Sequence, residues 1–193
     1  MIIALASKDD SALSKYAKGI RQGNVSVYRD FFEEYYPMLY RFLISRGMSH
    51  DEAEDLVQQA FIIIWDNRKG IDATKSLKAY LIKIAYTQML NHIKYQSRFK
   101  DEDPPESGAG TQEQESDSDY IELWHLMKNI IAQMPEKRAL VFEMCFINEL
   151  TYKETANILE VSVKTVENHM ALAFKEMRGK LKKIYGADRF MVK

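Results

Sequence analysis

The sequence predicts an all-α protein built from two small helical domains joined by an acidic linker. Apolar residues recur at the three- and four-residue spacing of amphipathic helices, and no segment alternates with the period of two that marks half-buried strands. Residues 100–119 contain a Pro-Pro pair and a Ser-Gly-Ala-Gly run but almost no apolar residue. The burial of apolar side chains therefore cannot offset the conformational entropy that these residues would lose on ordering. We therefore expect domains at 1–99 and 120–193, with residues 100–119 as the linker.

The net charge of −1 is distributed unevenly along the 193 residues. The linker carries one lysine against eight acidic residues, a net charge of −7, which leaves +6 on the remainder. A positive remainder is compatible with nucleic-acid binding, which the total charge alone would argue against. No segment approaches the roughly 18 apolar residues of a membrane helix, so we expect no membrane span and a cytoplasmic protein.

Eight helices are expected, and several have recognisable starts. Ser49 with Glu52, and Thr151 with Glu154, have the spacing of a capping box. Pro135 suits a first helical turn because its missing N–H costs nothing there. The expected helices span residues 11–21, 25–46, 50–66, 76–98, 119–133, 135–148, 151–160 and 162–184.

The third predicted helix is acidic at its start and apolar on more than one side. Its first two turns contain four carboxylates and the helix has no lysine or arginine, so DNA would repel this end. Ile62, Ile63 and Trp65 lie off the main apolar stripe. Two interpretations are open: a core helix whose acidic start complements the helix dipole, or a face that docks on another protein.

Between residues 67 and 100 the charge reverses, with eight basic residues against one acidic residue. At about 100° per residue, two opposite faces emerge in the fourth helix. One face is polar and basic and could hold phosphates: Lys83, Thr87, Asn91, Lys94 and Arg98. The other is apolar and is expected in the core: Leu81, Ile82, Ala85, Met89 and Ile93. Interleaved aromatic residues would suit stacking on unpaired bases, although core packing explains them equally: Tyr80, Tyr86, Tyr95 and Phe99.

The last two predicted helices resemble a helix-turn-helix. The helix that begins at Thr151 leads through a short turn into a new start at Ser162. A recognition helix needs small polar residues near its N-terminus to reach base edges, with cations placed to reach phosphates. The residues with these properties are Lys164, Thr165, Asn168 and Lys175. An ordinary amphipathic hairpin remains the alternative, and Leu172, which falls within the polar face, would suit packing against a protein partner.

The sequence offers no chemistry that predicts an enzyme, a metal or a cofactor. Cys145 is the single cysteine, and its apolar neighbours indicate a small packed side chain. The four histidines are scattered, at His50, His92, His125 and His169, and structural roles are expected for them. The glycines of the linker lack the lysine and following helix of a phosphate-binding loop.

The order of these features resembles an extracytoplasmic-function sigma factor. The resemblance covers residues 10–98 and 120–184. Residues 51–65 look like the core-binding segment of region 2, and residues 76–85 look like the start of the promoter-melting helix. Three further segments look like region 4: 134–142, 150–156 and 161–166.

The resemblance implies a protein that binds RNA polymerase core, through its clamp coiled coil and flap, and directs it to the minus-35 and minus-10 elements of promoter DNA. It implies a core-docking surface made of Asp51, Asp55, Gln58, Phe61 and Trp65. It implies minus-10 contacts by Asn67, Arg68, Lys69, Lys83, Thr87, Asn91, Lys94 and Arg98. It implies minus-35 contacts by Ser162, Lys164, Thr165, Asn168, His169 and Lys175. An anti-sigma factor is a further implied partner.

The chain departs from the family's pattern in the residues that would read bases. Many relatives have asparagine at the position of Thr87 and a basic residue at that of Glu167, so base preference does not carry over there. The arginine-rich tract common in the recognition helix is replaced by Ala171, Leu172 and Phe174. Two alternative functions are a helix-turn-helix regulator that is not a sigma subunit and a helical adaptor that binds only protein.

Overall fold

The computed structural model describes residues 10–98 and 118–185, with side chains over 16–98 and 125–184. Every regular element within these ranges is helical, which confirms the all-α class. The chain divides into two compact units between Gly110 and Thr111, a point inside the predicted linker. Residues 99–117, which include Phe99 and most of that linker, lie outside the described residues.

Within the described residues, the first unit contains four α-helices and a short 3-10 turn, and the second contains four α-helices and a π-helical segment. The helices of the first unit are α1 (Asp10–Arg21), α2 (Val25–Ser45), α3 (His50–Asp66) and α4 (Leu77–Ser97), with the 3-10 turn at Arg68–Gly70. The helices of the second unit are α5 (Ser118–Ala132), α6 (Glu136–Phe142), α7 (Tyr152–Leu159) and α8 (Val163–Tyr185), with the π segment at Glu143–Ile147.

The core of the first unit forms where α2, α3 and α4 pack together. Each of these helices places large apolar side chains inward, and burying such a side chain is worth roughly 1.5–3 kcal/mol. The fully buried members include Phe31, Leu39, Leu43, Val57, Phe61, Ile64, Leu81 and Ile82. Helix α1 approaches α2 closely at Gly19, where an added Cβ would lie 2.7 Å from Val27 Cγ1.

Glu52 connects the start of α3 to the end of α4. Its carboxylate accepts the backbone N–H of Ser49 at 2.8 Å, and Ser49 Oγ accepts the Glu52 N–H, so the predicted capping box is confirmed. The same carboxylate bonds His92 Nε2 at 2.9 Å and the Gln96 side-chain amide. The hydrogen bond from His92 is the main cause that lowers the pKa of Glu52 to about 2. His92 therefore has the structural role expected for it.

The second unit packs α6 and α7 against α8. The inner side of α8 contributes Val166, Met170, Ala173 and Met177 to the core. Cys145 packs against this core, half-buried, with its Sγ 3.3 Å from Thr155 Oγ1, and burial raises the pKa of its thiol.

An ion-pair network fixes α6 and α8 to one another at the edge of that core. Glu176 bonds Lys180 at 3.0 Å and Arg138 at 2.8 Å, and the Lys180 hydrogen bond is the main cause that lowers the pKa of the Glu176 carboxyl.

The connection between α7 and α8 is a tight turn. Thr151 and Glu154 form the predicted capping box at the start of α7. Glu160 then ends the helix in the left-handed region with φ 54°, and the Val161 N–H returns to Ala156 O at 3.0 Å. Ser162 Oγ accepts the Thr165 N–H at 3.0 Å, which starts α8. The helix-turn-helix geometry predicted here is present.

Two details of the predicted helices are wrong. The segment 135–148 is not one continuous α-helix, because the α-helical pattern ends at Phe142 and continues as the π segment. Ile93 was expected in the core but is 41% exposed. His92 and Gln96 turn toward Glu52, and Ile93 lies about 100° further round the helix, outside the packed side.

Replacing Glu52 by Gln should lower the free energy of unfolding by about 1–2 kcal/mol at pH 7, because an amide loses the charge-assisted bonds. The folded pKa lies below the ordinary value of 4.5, so the ionised carboxylate stabilises the fold above pH 4.5 and loses this effect as the pH falls toward about 2. The difference between variant and wild type in urea denaturation should therefore shrink from pH 7 to pH 3.

The matched control is Glu154→Gln, which changes the same position of the α7 capping box. A Glu52→Gln deficit that stays constant with pH would show that the charge is not its cause.

Candidate functional site

One exposed stripe of α3 is acidic and carries no positive charge. Its members lie within about 100° around the helix axis, and we call them the acidic face: Asp51, Asp55, Gln58, Gln59, Ile62 and Asp66. Ile62 is 57% exposed in the middle of this polar stripe. Sequence reasoning had placed Ile62 off the core stripe without assigning it to a surface, and it had missed Gln59. Helical spacing from Asp55 would have identified both.

Phe61 does not belong to this surface. Its side chain is 1% exposed, and its ring lies 4.7 Å from that of Phe32 and 5.7 Å from that of Phe31. The expectation that Phe61 contacts a partner is wrong for this conformation, because the ring fills the core between α2 and α3. The packed ring holds α3 in place against α2.

Trp65 and Arg68 connect the end of α3 to the loop that follows. The half-buried Trp65 ring packs against Tyr28 at 4.8 Å, and the Arg68 guanidinium lies 4.5 Å from the centre of the Trp65 ring. Arg68 also donates a hydrogen bond to Trp65 O at 2.7 Å. A guanidinium held over an aromatic face is attracted to the ring's electrons. Arg68 thus fixes the loop, and the fully exposed cation at its start is Lys69.

An open cleft of about 410 Å³ lies between this loop and the first turn of α4. It is lined by Asp66, Asn67, Lys69, Gly70 and Tyr80. Tyr80 is partly exposed, so the cleft offers an aromatic wall, a cation and an amide beside the Asp66 carboxylate. These are the groups that bind an unstacked base by stacking and hydrogen bonding.

The loop beyond the cleft is shaped by Asp72. Its carboxylate accepts the Thr74 N–H at 3.0 Å and the Thr74 hydroxyl at 2.6 Å, and it pairs with Lys75 at 3.3 Å. The Thr74 hydroxyl bond is the main cause that lowers the pKa of Asp72.

The polar side of α4 forms the surface that the sequence predicted. We call it the basic face, and it consists of Lys83, Thr87, Asn91, Lys94 and Arg98, of which only Lys83 is half-buried. Its three cations lie on a continuous strip that could follow a sugar-phosphate backbone. Leu90 lies on the same strip and is 46% exposed, which the sequence reasoning missed.

The polar side of α8 brings together most of the predicted duplex-binding residues. We call it the recognition face, and it consists of Ser162, Lys164, Thr165, Asn168 and Lys175. Lys164 Nζ pairs with Glu167 at 3.1 Å, whereas Asn168 and Lys175 are exposed. His169 lies at the edge of this face, half-buried, and its Nδ1 has no hydrogen-bond partner among the described residues.

Within residues 10–98 and 118–185, no helix is long and apolar enough to cross a membrane. The same residues contain no cluster of three or more His, Cys, Asp or Glu side chains able to hold a metal ion.

The chain is similar to known proteins over both units. Residues 31–99 match the family Sigma-70 region 2, and residues 125–177 match Sigma-70, region 4. The ECF RNA polymerase sigma factor SigW of Bacillus subtilis (strain 168) is 25% identical over 185 residues, which is 88% of this chain and 97% of the relative. SigM of the same organism is 22% identical over 157 residues, 81% of this chain and 93% of the relative.

Among solved structures, the fold is similar to that of the sigma factor RpoE from Bartonella quintana, which was crystallised with the anti-sigma factor NepR. The TM-score is 0.62 and the sequence identity is 23%, over 83% of this chain and 99% of that one.

Substitutions can test whether Phe61 is a core residue and Gln58 a surface residue. Phe61→Ala should lower the free energy of unfolding by about 3–5 kcal/mol because it removes a packed ring from the core. Gln58→Ala, one turn away on the acidic face, should change stability by less than about 0.5 kcal/mol. Urea denaturation of both variants measures this, and equal small changes would place Phe61 at the surface.

Proposed function

The chain is an extracytoplasmic-function sigma factor of the sigma-70 family, and from that premise we propose how its surfaces divide the work of initiation. A sigma factor binds RNA polymerase core and directs it to promoters, and members of this family are initiation factors without catalytic activity of their own. The matches to both region 2 and region 4 disfavour a regulator that only shares the helix-turn-helix. The protein would act in the cytoplasm, together with polymerase and the chromosome.

The acidic face of α3 is proposed to dock on the clamp coiled coil of the polymerase. The observation that carries this proposal is the exposed Ile62 among carboxylates and amides, in a helix that has no lysine or arginine. An apolar anchor with a charged rim is the usual anatomy of a protein interface, and the negative charge excludes DNA. Asp51, Asp55 and Gln58 keep their predicted docking role, and Trp65 holds the adjoining loop.

The second unit is proposed to contact the flap of the polymerase. Phe146 and Phe174 pack edge to face at 6.1 Å and both remain partly exposed, which gives this unit an apolar patch separate from its recognition face. A patch of exposed aromatic rings is typical of a site for protein contact.

The basic face and the cleft beside Lys69 are proposed to capture the opened minus-10 element. Cations on one strip of α4 would follow the backbone of a single strand. The cleft would accept a base taken out of the stack, with Tyr80 as its stacking wall. Lys83, Thr87, Asn91, Lys94 and Arg98 supply the polar contacts, together with Asn67 and Lys69.

The recognition face of α8 is proposed to read the minus-35 duplex in the major groove. Thr165 and Asn168 lie near the helix N-terminus, where side chains reach base edges, and Lys175 lies where phosphate contacts are made. Ser162, Lys164 and His169 lie at the margins of this contact. Because both units bind one polymerase, the first contact raises the effective concentration of the second, and each needs only modest affinity.

An anti-sigma factor is a further proposed partner. The similar RpoE was crystallised with NepR, and this chain has exposed apolar residues, such as Ile62 and Leu172, that could bind a protein partner. The test is a pull-down with a candidate inhibitor, in competition with core polymerase.

The proposed docking site predicts that Asp55→Lys weakens binding to core polymerase at least tenfold, because one charge is reversed within the acidic face. Binding is measured by co-elution with core on a sizing column, with an established sigma factor as competitor, and helical content by circular dichroism. Glu33→Lys is the matched control, since Glu33 is an exposed acid of α2 outside the acidic face. Equal binding by both variants would refute the proposed site.

The recognition face predicts two different effects on the holoenzyme. Asn168→Ala should reduce discrimination between the promoter and other duplexes by about 1–3 kcal/mol, because it removes a base contact. Lys175→Ala should weaken binding to all duplexes similarly and reduce the slope of log affinity against log salt by about one. Fluorescence anisotropy at several salt concentrations measures both. The assignment fails if Asn168→Ala leaves promoter preference unchanged.

A further inference from the structure

Leu172 is an exposed apolar residue on the DNA side of α8. It lies one turn beyond Asn168 and one turn before Lys175, and it is 47% exposed. The core side of the same helix is occupied by other residues, among them Val166, Met170 and Ala173, all buried. Leu172 therefore contributes little to the core of its own unit, and its side chain remains open to a partner.

Leu172 lies between Asn168, which is proposed to contact a base, and Lys175, which is proposed to contact phosphate. This position limits the chemical groups that Leu172 can contact. A leucine side chain cannot hydrogen-bond a base, and placing it over a guanine or cytosine edge would leave polar groups without partners. The major groove offers one apolar group to such a side chain, the 5-methyl group of thymine.

We propose that Leu172 is a specificity-determining residue that recognises a thymine methyl group in the minus-35 element. This inference rests on the proposed function, in which α8 lies in the major groove. The helix rises 1.5 Å per residue, so Leu172 lies about 6 Å along the axis from Asn168. Base pairs are 3.4 Å apart, which places the recognised thymine within about two base pairs of the pair that Asn168 contacts.

The experiment removes the methyl group and the leucine separately. Holoenzyme is assembled from the full chain and core polymerase, and a preferred minus-35 sequence is selected from a randomised duplex pool. Each thymine of that element is then replaced by deoxyuridine, which lacks only the methyl group, and binding is measured by fluorescence anisotropy. At one thymine, the replacement should weaken binding of the wild type by about fourfold, the value of one buried methyl group.

Leu172→Ala should weaken binding to the thymine duplex by a similar factor and should bind the thymine and uracil duplexes equally. Alanine is a strong helix former, so the variant should keep α8 intact. Leu172→Met keeps an apolar side chain and should retain most of the methyl effect. Ala171→Ser, at the exposed neighbouring position, is the matched control and should leave the methyl effect unchanged.

Three results would overturn the proposal: a selected element without an A·T pair, no thymine with a methyl effect, or a methyl effect that persists in Leu172→Ala. A different outcome would assign Leu172 to a protein contact instead. In that case Leu172→Ala would lose affinity for core polymerase in the absence of DNA, and no thymine would show a methyl effect. Failure of the proposed function gives a different result, because the wild-type holoenzyme would then select no minus-35 sequence from the pool.

Discussion

The hydrogen bonds that converge on the Glu52 carboxylate determine how the first unit presents its two functional surfaces. They fix the residue at which α3 begins and hold the last turns of α4 against it through His92 and Gln96. The opposite end of α3 is fixed by Tyr28, Trp65 and Arg68. With both ends held, the acidic face of α3 and the basic face of α4 keep one relative orientation. The two charged surfaces therefore lie on adjacent helices, and Asp66 at the end of the acidic face lines the same cleft as Lys69.

Much of this arrangement could be predicted from the sequence because it depends on local patterns. Capping boxes need only two residues three positions apart, and helix faces need only a spacing of 3.6 residues. Eight helices and the polar side of α8 followed from these patterns. The docking role of Asp51, Asp55 and Gln58 was instead implied by the resemblance to sigma factors, and the structure places all three on one exposed stripe of α3.

The errors come from features that depend on residues distant in sequence. Phe61 is an exception, because it lies on the apolar stripe of α3 with Val57 and Ile64, and the helical pattern therefore indicates its burial. Only the resemblance to sigma factors implied that it docks on a partner. Nothing in the sequence distinguishes Arg68 from other loop cations, because its contact with the Trp65 ring is visible only in the structure. The cleft beside Lys69 requires Tyr80 to approach from the next helix. The π segment after Phe142 is a short stretch that continues the helix, and no residue type in the sequence marks it.

The two surfaces proposed to face DNA differ in their charge, and this difference suggests different roles for them. The basic face of α4 has three cations and no carboxylate, so it should supply much of the phosphate attraction. In the first three turns of α8, the Glu167 carboxylate pairs with Lys164 and offsets its charge. That part of α8 is therefore left with the Thr165 hydroxyl, the Asn168 amide and Leu172, which would discriminate among bases but add little general affinity. If α8 reads the duplex as proposed, it would depend on the polymerase to bring it to DNA, and promoter recognition would then require docking on the polymerase.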